Sequence, residues 1–146
     1  MKRIVVLLLL SSLGYCALAA TPFINDLSLK SFNMLFKDAH NVVWSASKDF
    51  SDVCFLEDNI LMKARFDNAG NLIQTIRYYK EQDLPAFITQ QIKKQYKSCE
   101  IYGVTELSRK GAVLYTLSLR DEKHLHVVVT DANGEVLSAK EYNNAF

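Results

Sequence analysis

Residues 66–72 read FDNAGNL and residues 130–136 read TDANGEV, two short turn sequences set between stretches rich in β-formers. Each places a glycine, Gly70 or Gly134, where a three-residue hairpin loop needs positive φ. Working outward from them, alternation and turn residues predict strands over residues 42–46, 52–57, 60–66, 72–79, 101–107, 112–120, 124–130 and 136–142. Hairpins this short exclude a parallel α/β fold, whose crossovers need a dozen or more residues.

Two segments ahead of these strands have helical spacing instead. In SLKSFNMLFKDAHNVVW (residues 28–44), Ser28 is placed as N-cap, and Leu29, Phe32, Leu35 and Phe36 form one stripe. In DLPAFITQQIKKQYKSCEIY (residues 83–102), Asp83 is placed as cap and Pro85 in the first turn; Leu84, Phe87, Ile88, Ile92 and Tyr96 form the stripe. Leu29 and Phe32 line up with Leu84 and Phe87, and the two glycine turns line up in turn. The expected fold class is therefore α+β. The expectation is a tandem repeat over residues 28–80 and 83–142, each copy a helix plus about four antiparallel strands. Together they would form one curved antiparallel sheet with helices on one face.

The amino terminus reads as an export signal. Met1, Lys2 and Arg3 precede the apolar run from Ile4 to Leu10, and Ala17-Leu18-Ala19-Ala20 supplies a small-residue cleavage site. Residues 1–19 are thus expected to be a signal peptide, and 20–146 a single domain in the periplasm or outside the cell. No apolar run reaches the roughly 20 residues of a membrane span. Tyr15 is bulky where lipid attachment at Cys16 wants a small residue, which argues against a lipoprotein. Without the leader, 15 Lys+Arg (17 minus 2) face 16 Asp+Glu, and this balance gives no reason to bind nucleic acid. Cys54 and Cys99 remain, and a disulfide between them and two separate buried thiols both stay open.

Pairing Asp67 with Asn71 across the first turn sets Arg65 opposite Ile73, Lys63 opposite Thr75 and Leu61 opposite Arg77, with Met62, Ala64 and Phe66 on the core side. Pairing Arg120 with His124, and Asp131 with Glu135, sorts the later strands similarly. One sheet face then carries Lys63, Arg65, Arg77, Tyr79, Arg120, His124, His126, Lys140 and Tyr142, with acidic residues nearly missing. Arg and Tyr are favoured at interface hot spots, so this face is the expected partner-binding surface; a solvated face is the plain alternative. One conflict stands: Phe66 falls on the core side, while Thr130, aligned with it, falls on the polar side. Either a bulge shifts the parity or the alignment of the two turns is off by one.

No catalytic constellation emerges. His124 and His126 point the same way on a strand, but no third Cys, His or carboxylate falls at a matching position, so no metal and no cofactor are expected. The Asp/Asn turns lack the twelve-residue calcium-loop spacing. There is no G-x-S-x-G elbow and no Gly-rich phosphate loop.

FKDAHNVVW (36–44), FDNAGNLIQT (66–75), LPAFITQQIKKQY (84–96) and DANGEVL (131–137), in this order, resemble the PepSY-like family of β-lactamase-inhibitor-like exported proteins of Bacteroidetes type. Lys37 and Lys97 stand where the family often has Pro. The resemblance implies a sheet whose uncovered face grips a target; no inhibitory residue carries over position by position. The expected function is a non-enzymatic binding module that engages a protein, peptide or envelope polymer through the exposed sheet face. An inhibitor of a protease or β-lactamase and a small-ligand carrier are the alternatives.

Overall fold

Four two- and three-residue loops dictate most of the architecture. Asp58 and Asn59 both have positive φ, as do Lys110 and Gly111, the pattern of two-residue hairpin turns whose twist matches that of the strands. Gly70 and Gly134 close the three-residue turns at φ +80° and +78°. In these the amides of Asp67 and Asp131 donate to the carbonyls of Asn71 and Glu135. The computed structural model describes residues 23–143; the expected signal peptide lies outside the described residues.

The elements run α1 (Asp26–Leu35), β1 (His40–Ala46), β2 (Phe50–Glu57), β3 (Ile60–Asp67), β4 (Leu72–Tyr79), a 3-10 turn (Glu81–Asp83), α2 (Ala86–Gln95), β5 (Glu100–Arg109), β6 (Ala112–Arg120), β7 (His124–Asp131) and β8 (Val136–Asn143). The strands form one eight-stranded sheet in the order β1 to β8, each antiparallel to the next.

The expected tandem repeat is corrected by this arrangement. Among the described residues the chain builds one continuous sheet with two α-helices, and β4 pairs with β5 as regularly as any other neighbours. The residues that carried the equivalence do not share an environment: Phe32 is 4 % exposed, whereas Phe87 is 48 % exposed. Both helix starts also differ from expectation. Asn25, not Ser28, caps α1, its side chain accepting from the Leu27 amide at 2.8 Å. Ser28 is instead buried, and its hydroxyl donates to the Asp67 carbonyl. Asp83 belongs to the 3-10 turn, and α2 starts after Pro85.

Both helices lie on one face. Phe32 of α1 packs with Val53, Phe55, Met62, Ala64 and Phe66. Ile88 and Ile92 of α2 pack with Tyr79, Val104, Leu117, Leu119 and Val128. Ile60 touches both clusters. Burying each of these large apolar side chains contributes about 1.5–3 kcal/mol.

Bulges correct the expected register. Phe66 pairs with Leu72 as anticipated, but Ile73 is then skipped, so Arg65 pairs with Gln74, Lys63 with Ile76 and Leu61 with Tyr78. Likewise Thr130 pairs with Val136, Leu137 is skipped, and Val129 pairs with Ser138. Arg120 faces Leu125 rather than His124. Each slip of one residue turns the strand beyond it over. Phe66 and Thr130 consequently both end up buried, which resolves the conflict between them.

Candidate functional site

Because paired residues share a face, the register sorts the side chains opposite the helices into rows running across the strands. One row runs Val43, Cys54, Lys63, Ile76, Leu107 and Leu114 from β1 to β6. The next runs Leu56, Leu61, Tyr78, Thr105, Thr116 and Val129 from β2 to β7. Among the described residues no helix covers these rows, and we refer to this as the open face. A shallow depression of about 460 Å³ lies on its β1–β4 end, lined by Val43, Cys54, Lys63, Ile76 and Tyr78 among others.

Three cations of the open face, Arg65, Arg120 and Lys63, are partnered. Arg65 donates from Nε and Nη2 to the Asp52 carboxylate at 2.6 and 2.9 Å, and its guanidinium lies 5.2 Å from the centre of the Phe50 ring. Arg120 donates to Glu100 at 2.8 Å and sits over Tyr102; that bond holds the Glu100 carboxyl below its usual range. Lys63 Nζ lies 5.7 Å from the Tyr78 ring centre. The expectation of a face almost without acids is thus corrected, since Asp52 and Glu100 stand directly opposite Arg65 and Arg120. Lys140 and Tyr142 extend this face on β8, where both are exposed.

Four of the expected face residues lie on the helix side instead. Arg77 pairs with Met62 and Glu106, and Tyr79 belongs to the α2 core. They form a polar seam between the two core clusters. The Tyr79 hydroxyl donates to Glu106 Oε2 at 2.6 Å, and Arg77 Nη1 reaches the same carboxylate at 3.4 Å. Burial first, and then Glu106, pushes the Tyr79 phenol well above its ordinary pKa.

His126 is also on the helix side, where Tyr96 packs against its ring at 5.5 Å. It shares that position with His124, Asp121, Glu141 and Cys99. The Asp121 carboxyl is held down at about 2, chiefly by the backbone amides of Lys123 and His124. The Cys99 thiol is pushed up by burial and by Asp121, the opposite of what a nucleophilic cysteine needs. Cys54 and Cys99 are both free. One is on the open face and the other at the end of α2 on the helix side, so the disulfide alternative falls away.

A scan of family models returns no match, and no curated protein matches the chain. Solved structures do match. A protein of the DUF2874 family from Bacteroides uniformis aligns with a TM-score of 0.66 at 14 % identity, over 82 % of this chain and 90 % of that one. A BLIP-like protein from Bacteroides fragilis aligns with a TM-score of 0.66 at 15 % identity, over 86 % and 90 %. A protein from Bacteroides eggerthii, provisionally described as periplasmic, aligns with a TM-score of 0.66 at 13 % identity, over 85 % and 93 %. The fold is shared with these proteins. No helix among the described residues is long and apolar enough to cross a membrane.

Sequence reasoning missed Asp52, Glu100, Cys99 and Asp121 as neighbours of the residues it singled out. Asp52 and Glu100 were legible in principle, since each lies directly across from an arginine once the strands are paired. Cys99 and Asp121 come from two separate loops, and no spacing signals their approach to His126.

Proposed function

We propose that this chain is an exported, non-enzymatic binding module that engages a protein or peptide through the open face of its sheet. What supports the reading is a single observation: an eight-stranded sheet shielded by helices on one side and bearing, on the other, rows of mixed apolar and polar side chains, exposed or half-buried, that no helix among the described residues covers. Leu61, on β3 in one of these rows, is 40 % exposed. Partnered arginines beside these rows suit a docking surface, because their charge is already balanced and orients a partner without requiring a strongly acidic one. The PepSY-like motifs and the periplasmic description of a structural neighbour support export in the same way.

The test is cross-linking capture from an envelope extract, followed by rebinding of the identified partner in purified form. Leu61→Asp and Lys63→Glu should abolish rebinding while leaving the unfolding midpoint nearly unchanged. Phe87→Asp, on the exposed side of α2, should leave rebinding intact. Loss of binding only with Phe87→Asp would move the interface to the helices and end this reading. Export is checked by the mass of the released protein, which should lack residues 1–19.

The BLIP-like neighbour favours a second reading, inhibition of a β-lactamase or protease by the same face. Purified protein added to such an enzyme should then slow it, and Leu61→Asp should relieve the inhibition.

A further inference from the structure

The end of α2 collects ligand-bearing side chains from three places in the chain. Cys99 follows the helix, its amide bonded to the Tyr96 carbonyl at 3.1 Å. Asp121 stands in the β6–β7 turn, where its Oδ1 accepts the amides of Lys123 and His124 at 2.8 and 2.7 Å. This directs Oδ2 toward the Cys99 sulfur at 3.8 Å and His126 Nε2 at 3.6 Å. The ligand atoms of Cys99, Asp121 and His126 all lie within 4.8 Å of one another. Metal–ligand bonds of roughly 2.0–2.3 Å in tetrahedral geometry separate neighbouring ligand atoms by roughly 3.3–3.8 Å, so little movement would be needed.

We propose that Cys99, Asp121 and His126 form a binding site for a borderline divalent cation of the zinc type, with one coordination position left to solvent. A thiolate with an imidazole and a carboxylate selects zinc-like ions over magnesium or calcium, which prefer oxygen alone. The surroundings match what such a site needs. His126 Nδ1 lies 3.5 Å from Glu141 Oε2, the carboxylate–histidine arrangement that places the proton on Nδ1 and turns the Nε2 lone pair toward the ion. The His126 side chain is only 12 % exposed and is held by Tyr96. His124 reaches Asp121 Oδ1 at 3.5 Å and Glu141 Oε1 at 3.6 Å, so it links the two carboxylates from the rim. A ligand on β7, one in a turn and one after α2 would be tied together by the ion. The site is on the helix side, so its test is independent of docking at the open face.

Purified protein titrated with Co(II) should take up a single equivalent. It should develop a thiolate-to-cobalt charge-transfer band in the near ultraviolet, bleached by Zn(II). Cys99→Ser and His126→Gln should abolish the band, Cys54→Ser should keep it, and Glu141→Gln should weaken affinity by about tenfold to a hundredfold. In the unaltered chain, Zn(II) should slow alkylation of Cys99 but not of Cys54, read by mass spectrometry. This arm needs no variant to fold. A missing band, a band lost with Cys54→Ser, or equal alkylation of Cys99 with and without Zn(II) would overturn the proposal.

Discussion

The two helices cover the same sheet with different chemistry. Under α1 the filling is aromatic: Phe32 meets Phe55 edge-on at 5.0 Å and Trp44 at 5.3 Å, and Phe36 lies 4.8 Å from Phe55. Under α2 it is mostly aliphatic, built from Ile88, Ile92, Leu117, Leu119 and Val128. The aromatic side gains edge-to-face contacts of about 0.5–1.5 kcal/mol per pair beyond its burial, but concentrates them in a few large rings. The aliphatic side spreads the same task over smaller side chains. It also has polar neighbours, the Tyr79–Glu106–Arg77 seam and the His126 cluster. The lesson is that one layer geometry accepts either filling, while polar chemistry gathers beside the smaller residues.

The largest expected effect breaks the aromatic side. Phe55→Ala should cost about 3–5 kcal/mol in chemical denaturation, whereas Ile88→Val under α2 should cost about 0.5–1.5 kcal/mol. Similar costs for the two would remove the contrast.

The glycine turns sharpen it next. A Cβ on Gly70 would lie 2.8 Å from the Leu27 carbonyl oxygen, so the first turn is clamped against the start of α1. On Gly134 it would meet only the Gln91 and Ile88 side chains, at 3.4 Å, and on Gly111 nothing within 4 Å. All three have positive φ, which alone costs an alanine about 1–2 kcal/mol. Gly70→Ala should therefore destabilise most, Gly134→Ala less and Gly111→Ala least, as ranked by thermal midpoints.

Glu106→Ala should cost about 1–3 kcal/mol, because the Tyr79 hydroxyl loses its acceptor inside the seam. An unchanged denaturation midpoint would show that the seam contributes nothing to stability.

The smallest effect concerns acid. Asp67 is held below its ordinary carboxyl range first by the Asn71 side chain, and Asp131 first by the Glu135 amide. A carboxyl lowered by folding contributes stability above its unfolded pKa, and this is lost as pH falls through the folded value. Stability should therefore decline below about pH 4. Asp67→Asn and Asp131→Asn should each flatten that decline, measured as denaturation midpoints against pH.

Much of the layout was legible because its signals are local. Alternation located all eight strands, and Asp67 and Asp131 do close their turns onto Asn71 and Glu135. The faces were less legible. A bulge at Ile73 or Leu137 leaves composition and alternation almost untouched, yet turns over every residue beyond it. Arg77 and Tyr79 were misplaced by the bulge at Ile73, and His124 and His126 by the one-residue slip that sets Arg120 opposite Leu125. The only trace in the sequence was Phe66 and Thr130 demanding opposite faces at matching turns.

What the chain determined by itself is the existence of the strands, the tight turns and two one-sided helices, since periodicity and positive-φ residues act within a few positions. Only the tertiary structure decided which side of each strand is buried and which distant groups meet. The pairing of Arg65 with Asp52, and the approach of Cys99 and Asp121 to His126, depend on register summed across several strands, and one skipped residue changes the sum.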